Sequence, residues 1–359
     1  MPRPIRTARQ GETMALTSYN RDPVLCRHLV ERGAFAGTDF HFFDVGVSGG
    51  IDRYWRHFAP NLKVWGFDPL VKEVERLNGL GFASDTYEAA FVGCHDYRRR
   101  HTHAEWWTPE ARSTQFFPRT TAQWAQDLLE MNWNRDVDNR GEELQLADRV
   151  VELDGYCVDQ GIGRVDFIKI DTDGSDYEVL QGARGLLRDG GILGLQVEAQ
   201  FHGAVLPEAN LFSNIDIMLR QHGFALFDLD LWHYSRAALP RPFVYDIAAQ
   251  TTRGQLSWGE ALFLRDLGDP LYETKWPDFA ITVPVILKSV ALFDIYSLQD
   301  CAIEVLLKYS GPLTEAGWDV EALADLVVPL VDGRRVGYRD FIALCEDKVR
   351  HRRFKDIPG

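Results

Sequence analysis

The 359-residue chain is short of cysteine, of positive charge and of long apolar runs, and each shortage removes a class of protein. Its five cysteines, Cys26, Cys94, Cys157, Cys301 and Cys345, are scattered, odd in number and without a CxxC pair or zinc spacing. Neither a disulfide framework nor a structural metal is therefore expected. Lys and Arg number 39 against 53 Asp and Glu, a formal charge of −14. Such a field repels a duplex phosphate backbone, so no nucleic-acid partner is expected. The exception is a basic tail, Lys348, Arg350, Arg352, Arg353 and Lys355, which reads as the solvated end of a helix. No apolar run approaches the roughly twenty residues that cross a bilayer. The N-terminal MPRPIRTARQGETMAL has no apolar core of the signal-peptide kind. Repeats and low-complexity tracts are absent too, and the expectation is a soluble cytoplasmic protein.

What is present is a globular composition, 45% apolar and 12% aromatic, ample for a real core. Residues 22–35 carry a helical period behind Asp22-Pro23, within an N-terminal helical extension over 1–38. Strands and helices then alternate: strand 39–45, helix 51–58, strand 63–68, helix 70–79, and a third strand in EAAFVG, 88–93. That spacing implies βαβ units and a parallel sheet. From about 95 to 148 the order breaks into a polar stretch with aromatics, too long for an ordinary connection, which reads as an inserted lid or binding element. Order resumes with a short helix around Tyr156, strand 166–171, helix 176–188, strand 192–198, helix 211–222, strand 224–231 and a last strand 260–267. The sheet domain spans 39–270. From 275 to 359 only helical stretches follow, near 283–294, 297–309, 319–330 and 337–350, a small all-α C-terminal unit expected to pack on the sheet domain or to form a dimer.

The turn FFDVGVSGGID places Asp44 at the end of a buried strand, Gly46 two residues later and Gly50 at a helix start. Glycines there allow tight geometry and close approach of a ligand. The dinucleotide fingerprint G-x-G-x-x-G is missing, with Val47-Ser48 where its second glycine belongs. A carboxylate beside the turn suits a ligand carrying ammonium or sulfonium, as S-adenosylmethionine does, better than a pyrophosphate. Asp68, in VWGFDP, ends the second strand about twenty residues on, where an acid accepts both ribose hydroxyls. Asp44, Gly46, Ser48, Gly50 and Asp68, with Gly93 closing the third strand, form the candidate cofactor set.

A second cluster lies in DFIKIDTDGSDYEVLQGA, Asp166 to Ala183. It is not an EF-hand: counted from Asp171, glycine falls at position four and position twelve is Gly182, behind a strand. Ser175-x-x-Glu178 reads as a capping box with Asp176 in the first helical turn, so Asp176 and Glu178 are expected to be structural. Asp171 and Asp173 fall at the carboxyl end of a central strand, the edge where open α/β sheets bind ligands.

VDFIKIDTDGSDYEVLQGA resembles the signature of FkbM-type methyltransferases, whose usual form is I-K-I-D-V-E-G-A-E followed by V/L-L-x-G-A. Lys169, Asp171, Gly174, Leu180 and Gly182 match directly, whereas Thr172, Asp173 and Asp176 stand for valine and two glutamates. LDGYC, from Leu153, is similar to the family's L-D segment. FFDVGVSGGID and VWGFDP are similar to its D-V-G-A-N-x-G and F-E-P turns, with Ser48 for asparagine and Asp68 for glutamate. The likeness covers roughly Phe40 to Leu267, without the insertion or the C-terminal unit. It implies a class I, Rossmann-like methyltransferase sheet, mostly parallel with one antiparallel strand, S-adenosylmethionine as donor, and O-methylation, often of sugar hydroxyls on glycans, glycolipids or natural products.

A hydroxyl acceptor calls for a base or a metal. The base candidates are Asp171, Asp173, Glu198 and His202, and Asp171 with Asp173 could alternatively hold Mg²⁺ or Ca²⁺. In the insertion, Trp106-Trp107 and Phe116-Phe117 either stack on sugar faces or form the lid's own core. Arg236 and Arg241 either clamp an acceptor's phosphate or carboxylate or belong to a solvated loop. Two rival readings stay open: an NAD-linked oxidoreductase on a similar sheet, and a non-catalytic cofactor-binding or assembly protein.

Overall fold

The computed structural model describes residues 19–94, 145–172, 174–202, 207–237, 250–251 and 253–357. Asp173, Arg241 and the insertion's Trp106, Trp107, Phe116 and Phe117 lie outside the described residues. The chain divides into two compact units, the first built on His41–Asp52 and Lys63–Arg265, the second on Ser18–Phe40, Arg53–Leu62 and Asp266–Gly359.

The first unit is a sheet with helices. Its strands are β1 (Phe40–Val45), β2 (Leu62–Asp68), β3 (Asp85–Ala89), β6 (Phe167–Ile170), β7 (Gly194–Gln200), β8 (Ala225–Tyr234), β9 (Gln250–Thr251) and β10 (Gln255–Leu264). They are ordered β3-β2-β1-β6-β7-β10-β8-β9, eight in all. The pairs β2/β3, β1/β6 and β6/β7 are parallel, while β10 runs antiparallel to both β7 and β8. This is the mostly parallel, Rossmann-like sheet expected from the sequence, with short β9 adding a third antiparallel pairing, to β8.

One expected strand is differently placed. EAAFVG does not form the third sheet strand; Asp85–Ala89 does, and it buries only Tyr87 fully, so no apolar run marks it. Phe91–Val92 (β4) instead pairs with Val150–Val151 (β5) in a separate two-stranded sheet. The helix expected over 176–188 is two helices, α4 (Asp176–Gln181) and α5 (Arg184–Asp189), broken at Gly182-Ala183. They follow α1 (Val24–Glu31), α2 (Val71–Asn78) and α3 (Leu153–Gln160), and precede α6 (Phe212–Gln221). The helix expected over 51–58 is a 3₁₀ segment, Arg53–Phe58.

Strand side chains alternate between faces. One face of the central strands gives Phe43, Val45, Ile168, Ile170, Leu195, Val197, Ala199, Ala261 and Phe263 to an apolar core. Helix residues Val179, Leu180, Leu187, Ile215 and Leu219 complete it. Asp154, in the L-D segment, serves that packing: its carboxylate accepts from the N–H groups of Gly185 and Leu186 at 2.7 and 2.8 Å, capping α5.

The second unit combines α1, the 3₁₀ segment and the C-terminal helices. These are α7 (Tyr272–Lys275), α8 (Val283–Ile295), α9 (Gln299–Lys308), α10 (Ser310–Glu315), α11 (Val320–Val327) and α12 (Tyr338–Arg350). Helix α8 is buried at every position from Val285 to Ile295, so its two buried charges need partners. Lys288 donates to the Asp39 carbonyl at 2.7 Å, and Asp294 accepts from Cys26 N–H at 3.0 Å and the Asn20 amide at 2.9 Å. Helix α12 has no buried residue, and Arg350, Arg352, Arg353 and Lys355 are exposed. Among the described residues no helix is long and apolar enough to cross a membrane.

Candidate active site

Parallel strands β1, β2 and β6 end together, and their carboxyl ends bring the two sequence clusters to one edge. The turn after β1 hangs on β2, with Gly46 and Val47 both donating to the Phe67 carbonyl at 2.9 and 3.1 Å. Gly46 sits at φ +89°, and a Cβ there would fall 1.8 Å from the Asp171 carbonyl oxygen. Only glycine lets the turn and the end of β6 touch. Gly50, also at φ +89°, lies against Leu77, and Gly49 donates to Glu73 Oε1 at 2.9 Å. Ser48 and Gly49 are exposed.

Asp44 is buried at the base of this turn. Among the described residues its Oδ1 has no hydrogen-bond partner, and the Lys169 ammonium lies 3.8 Å away. Burial pushes its carboxyl up to about 7, with Lys169 opposing and Asp52, Asp171 and Asp68 adding to the rise. Asp68 is buried at the end of β2, where Oδ1 accepts from Leu70 N–H at 2.8 Å. Burial lifts it to about 6, against the opposing hydrogen bonds from the backbone of Leu70 and Ser48. Asp68 thereby ties the β1 turn to the β2 turn.

The insertion's last residues reach the same turn. Val71 N–H donates to the Gln145 carbonyl and Ala147 N–H to the Pro69 carbonyl, and Leu70 bridges Leu146.

Asp171 is accessible, its side chain 36% exposed. Lys169 Nζ donates to its Oδ2 at 3.1 Å. Burial works against the Lys169 ammonium, but Asp171, Asp44, Glu260 and Asp52 outweigh it and hold its proton well above the ordinary lysine range.

The expected capping box does not form, because Ser175 makes no side-chain bond to α4. Asp176 does the structural work instead. Wholly buried, it accepts from the backbone N–H of Thr172 at 3.0 Å and of Gly174 at 3.2 Å, and from Asn210 at 2.9 Å. The rim loop is wrapped on that carboxylate.

Of the other sequence candidates, Glu198 is buried on β7, opposite Glu260 of β10. His202, just past β7, has Nε2 3.2 Å from Ser257 Oγ. Gly93 donates to the Val151 carbonyl, and its own carbonyl oxygen would meet a Cβ on Gly182 at 2.1 Å, which explains the glycine in the LQGA run. Arg236 is exposed. Among the described residues no group of three or more His, Cys, Asp or Glu side chains could hold a metal, and the cation beside Asp171 is a lysine.

Sequence reasoning missed three members of this cluster, Lys169 as an ion-pair centre, Gln196 and Glu260. Gln196 donates a short hydrogen bond to Glu260 Oε2. Burial lifts Glu260 to about 8, with Asp171 and Asp52 adding and Lys169 and Gln196 opposing. The available signal was Lys169 itself, a charge inside the strand Phe167–Ile170 that is buried at every position and so requires counter-charges.

Residues 56–226 match the family model described as the methyltransferase FkbM domain. No curated protein matches the chain. Among solved structures the chain is similar to the N-terminal domain of EvdMO1 with SAH bound, at 11% identity and a TM-score of 0.29 over 69% of this chain and 82% of that one. The match to EvdMO1 itself, at 12% identity and a TM-score of 0.28, spans 68% of this chain and 41% of that one. A SAM-dependent methyltransferase from Aquifex aeolicus is similar at 11% identity and a TM-score of 0.26, over 68% of this chain and 92% of that one.

Proposed function

The chain carries a methyltransferase domain of the FkbM family over residues 56–226, and from that premise we propose that the edge formed by β1, β2 and β6 binds S-adenosylmethionine for transfer of its methyl group to a hydroxyl oxygen. The observation that carries this reading is the buried Asp44 oxygen, without a hydrogen-bond partner among the described residues, beside a glycine turn held open at φ +89°. A buried acceptor of that kind is costly unless a cation or donor reaches it.

The residues present fit the donor. Asp44 supplies negative charge for its cationic portion, Gly46, Ser48 and Gly50 allow close approach of backbone, and Asp68 ends β2 where ribose hydroxyls need an acceptor. Bound there, S-adenosylmethionine supplies a methyl group made electrophilic by its sulfonium. The chain's own task is to orient the acceptor and remove its proton. Asp171 is the base we favour, since Lys169 fixes Oδ2 at 3.1 Å and so sets the direction of the carboxylate at the rim. Glu198 and His202 are competing bases, and Asp173, two residues beyond Asp171 in the sequence, is a third. A sugar or glycosylated metabolite is the acceptor class that the signature's resemblance supports.

Calorimetry with S-adenosylhomocysteine and NADH tests the donor: binding of the first alone is the expected result, and binding of NADH alone would overturn it. Transfer of label from methyl-labelled S-adenosylmethionine to nucleotide sugars or lipid-linked glycans tests the acceptor. Asp171→Asn should then lower kcat far more than Asp173→Asn, Glu198→Gln or His202→Gln, by about a hundredfold or more for loss of a general base. A larger loss in one of the other three would move that role.

A further inference from the structure

The acid excess of the chain is reversed at the end of α12. Between Lys348 and Asp356 stand five Lys and Arg residues, Lys348, Arg350, Arg352, Arg353 and Lys355, against Asp356 alone, in a chain of formal charge −14. The start of α12 is fixed on α11. Tyr338 N–H donates to the Asp325 carboxylate at 2.6 Å, and Arg339 pairs with Glu321 at 2.7 Å. Along α12 the apolar residues Tyr338, Phe341, Ile342, Cys345 and Val349 follow helical spacing, yet none is buried, and Val349 is 49% exposed. Phe354, just past the helix, is 60% exposed. Two apolar side chains thus meet water among cations.

Helix termination accounts for part of this charge. Lys348 and Arg350 lie in the last turn, where the dipole favours cations. Arg353 is held by Asp356 at 2.8 Å. Arg352 and Lys355 have neither explanation. The helix closes in a Schellman motif, Arg353 N–H donating to the Lys348 carbonyl at 2.8 Å and Arg352 N–H to that of Val349 at 2.9 Å. Arg352 stands at φ +56°, the place in this motif that glycine fills at least cost. A cation is kept there against the preference of the backbone. Among the described residues no acid pairs with Lys348, Arg350, Arg352 or Lys355.

We infer that the end of α12 and the turn after it, residues 348–355, form a docking surface for an anionic lipid membrane. A bilayer interface offers headgroup charge to these cations and an apolar boundary to Val349 and Phe354. A duplex phosphate backbone would engage the cations and leave both apolar side chains in water. A second copy meeting this patch about a two-fold axis would set cation against cation. Acid elsewhere in the chain does not prevent docking, because at physiological salt exposed charges more than about 8 Å apart are largely screened. Attachment of this kind is peripheral and reversible. It is independent of the donor site at the sheet edge.

The test is co-sedimentation of the full chain with phosphatidylcholine vesicles and with vesicles about one-third phosphatidylserine, at about 0.1 M and about 1 M salt. Binding to the anionic vesicles alone, lost at the higher salt, is the expected result. Each Lys or Arg near such a surface strengthens binding about fivefold, so the triple variant Arg350→Gln, Arg352→Gln, Lys355→Gln should bind about a hundredfold more weakly. Phe354→Ser should weaken binding by about tenfold, a loss that headgroup charge alone does not produce. Arg352→Gly separates docking from folding: it relieves the positive φ, so the melting temperature should hold or rise while vesicle affinity falls about fivefold. Equal binding to both vesicle types, binding to neither, or variants that bind vesicles like the wild type would overturn the inference. So would a duplex oligonucleotide bound, or a dimer formed, through this segment in place of vesicle binding. Affinity for S-adenosylhomocysteine should be the same in the wild type and these variants, so the donor site stands or falls separately.

Discussion

The same four strands, β1, β6, β7 and β10, present two faces that are buried alike and built by opposite rules. One carries Phe43, Val45, Ile168, Ile170, Leu195, Val197 and Phe263, which gain stability from leaving water. The other carries Asp44, Lys169, Gln196, Glu198 and Glu260, which lose hydration and need polar partners, as Lys169 finds in Asp171 and Glu260 in Gln196. Folding explains the first face. The second has no such account, since apolar residues at those positions would have been cheaper to bury. The Asp44 oxygen, which has no hydrogen-bond partner among the described residues, makes sense as part of a site completed by a ligand.

The largest effect separating the site from ordinary structure is expected at Gly46. Gly46→Ala places a Cβ 1.8 Å from the Asp171 carbonyl, whereas Gly81→Ala, at φ +72°, meets nothing within 4 Å. Chemical denaturation should show a loss of at least about 4 kcal/mol, or failure to fold, for Gly46→Ala against about 1 kcal/mol for Gly81→Ala. Equal costs would mean that the β1 turn and the β6 end are not locked together.

Neighbouring positions on β6 compare the two faces directly. Ile168→Ala should cost about 2–5 kcal/mol at any pH, the usual penalty of a core cavity. Lys169→Met should cost about 3–5 kcal/mol at alkaline pH, where it strands ionised carboxylates. That cost should shrink toward pH 5, because Asp44, near 7, and Glu260, near 8, then carry protons. Lys169 itself stays charged throughout, its proton being held more tightly than usual. In the wild type the raised acids bind more protons folded than unfolded between the ordinary carboxylate range and about 8, so stability should fall as pH rises through that window. Thermal melts of both variants at pH 5 and pH 8 check this, and a pH-independent Lys169→Met cost would remove the charge account of the second face.

A smaller effect marks a polar group that serves packing alone. Asp154→Ala removes two hydrogen bonds to the start of α5 and should cost about 1–2 kcal/mol, as lost caps do, without changing affinity for S-adenosylhomocysteine. A change in that affinity would extend the site to the helical side of the sheet.

The two faces also differ in how much of them the sequence disclosed. Apolar alternation in FHFFDV, KVWGFD and ILGLQVE marks β1, β2 and β7, and the acids at strand ends locate the edge. The third strand was misplaced because Asp85–Ala89 is an edge strand with one fully buried side chain, while the apolar run beside it pairs elsewhere. Ser175 and Glu178 fit a capping box by spacing, yet Asp176 outcompetes that arrangement by reaching two loop N–H groups and Asn210. Glu260 and Gln196 lie 64 positions apart and meet only through the β7/β10 register, which strand patterns do not specify.

The most direct test of the account is the affinity of S-adenosylhomocysteine for the wild type and for Asp68→Ala, with circular dichroism confirming the fold. A wild type that binds and a variant weakened by about tenfold or more, the worth of hydrogen bonds to a buried carboxylate, is the predicted result. A wild type that does not bind, or an Asp68→Ala variant that binds as tightly, would contradict it.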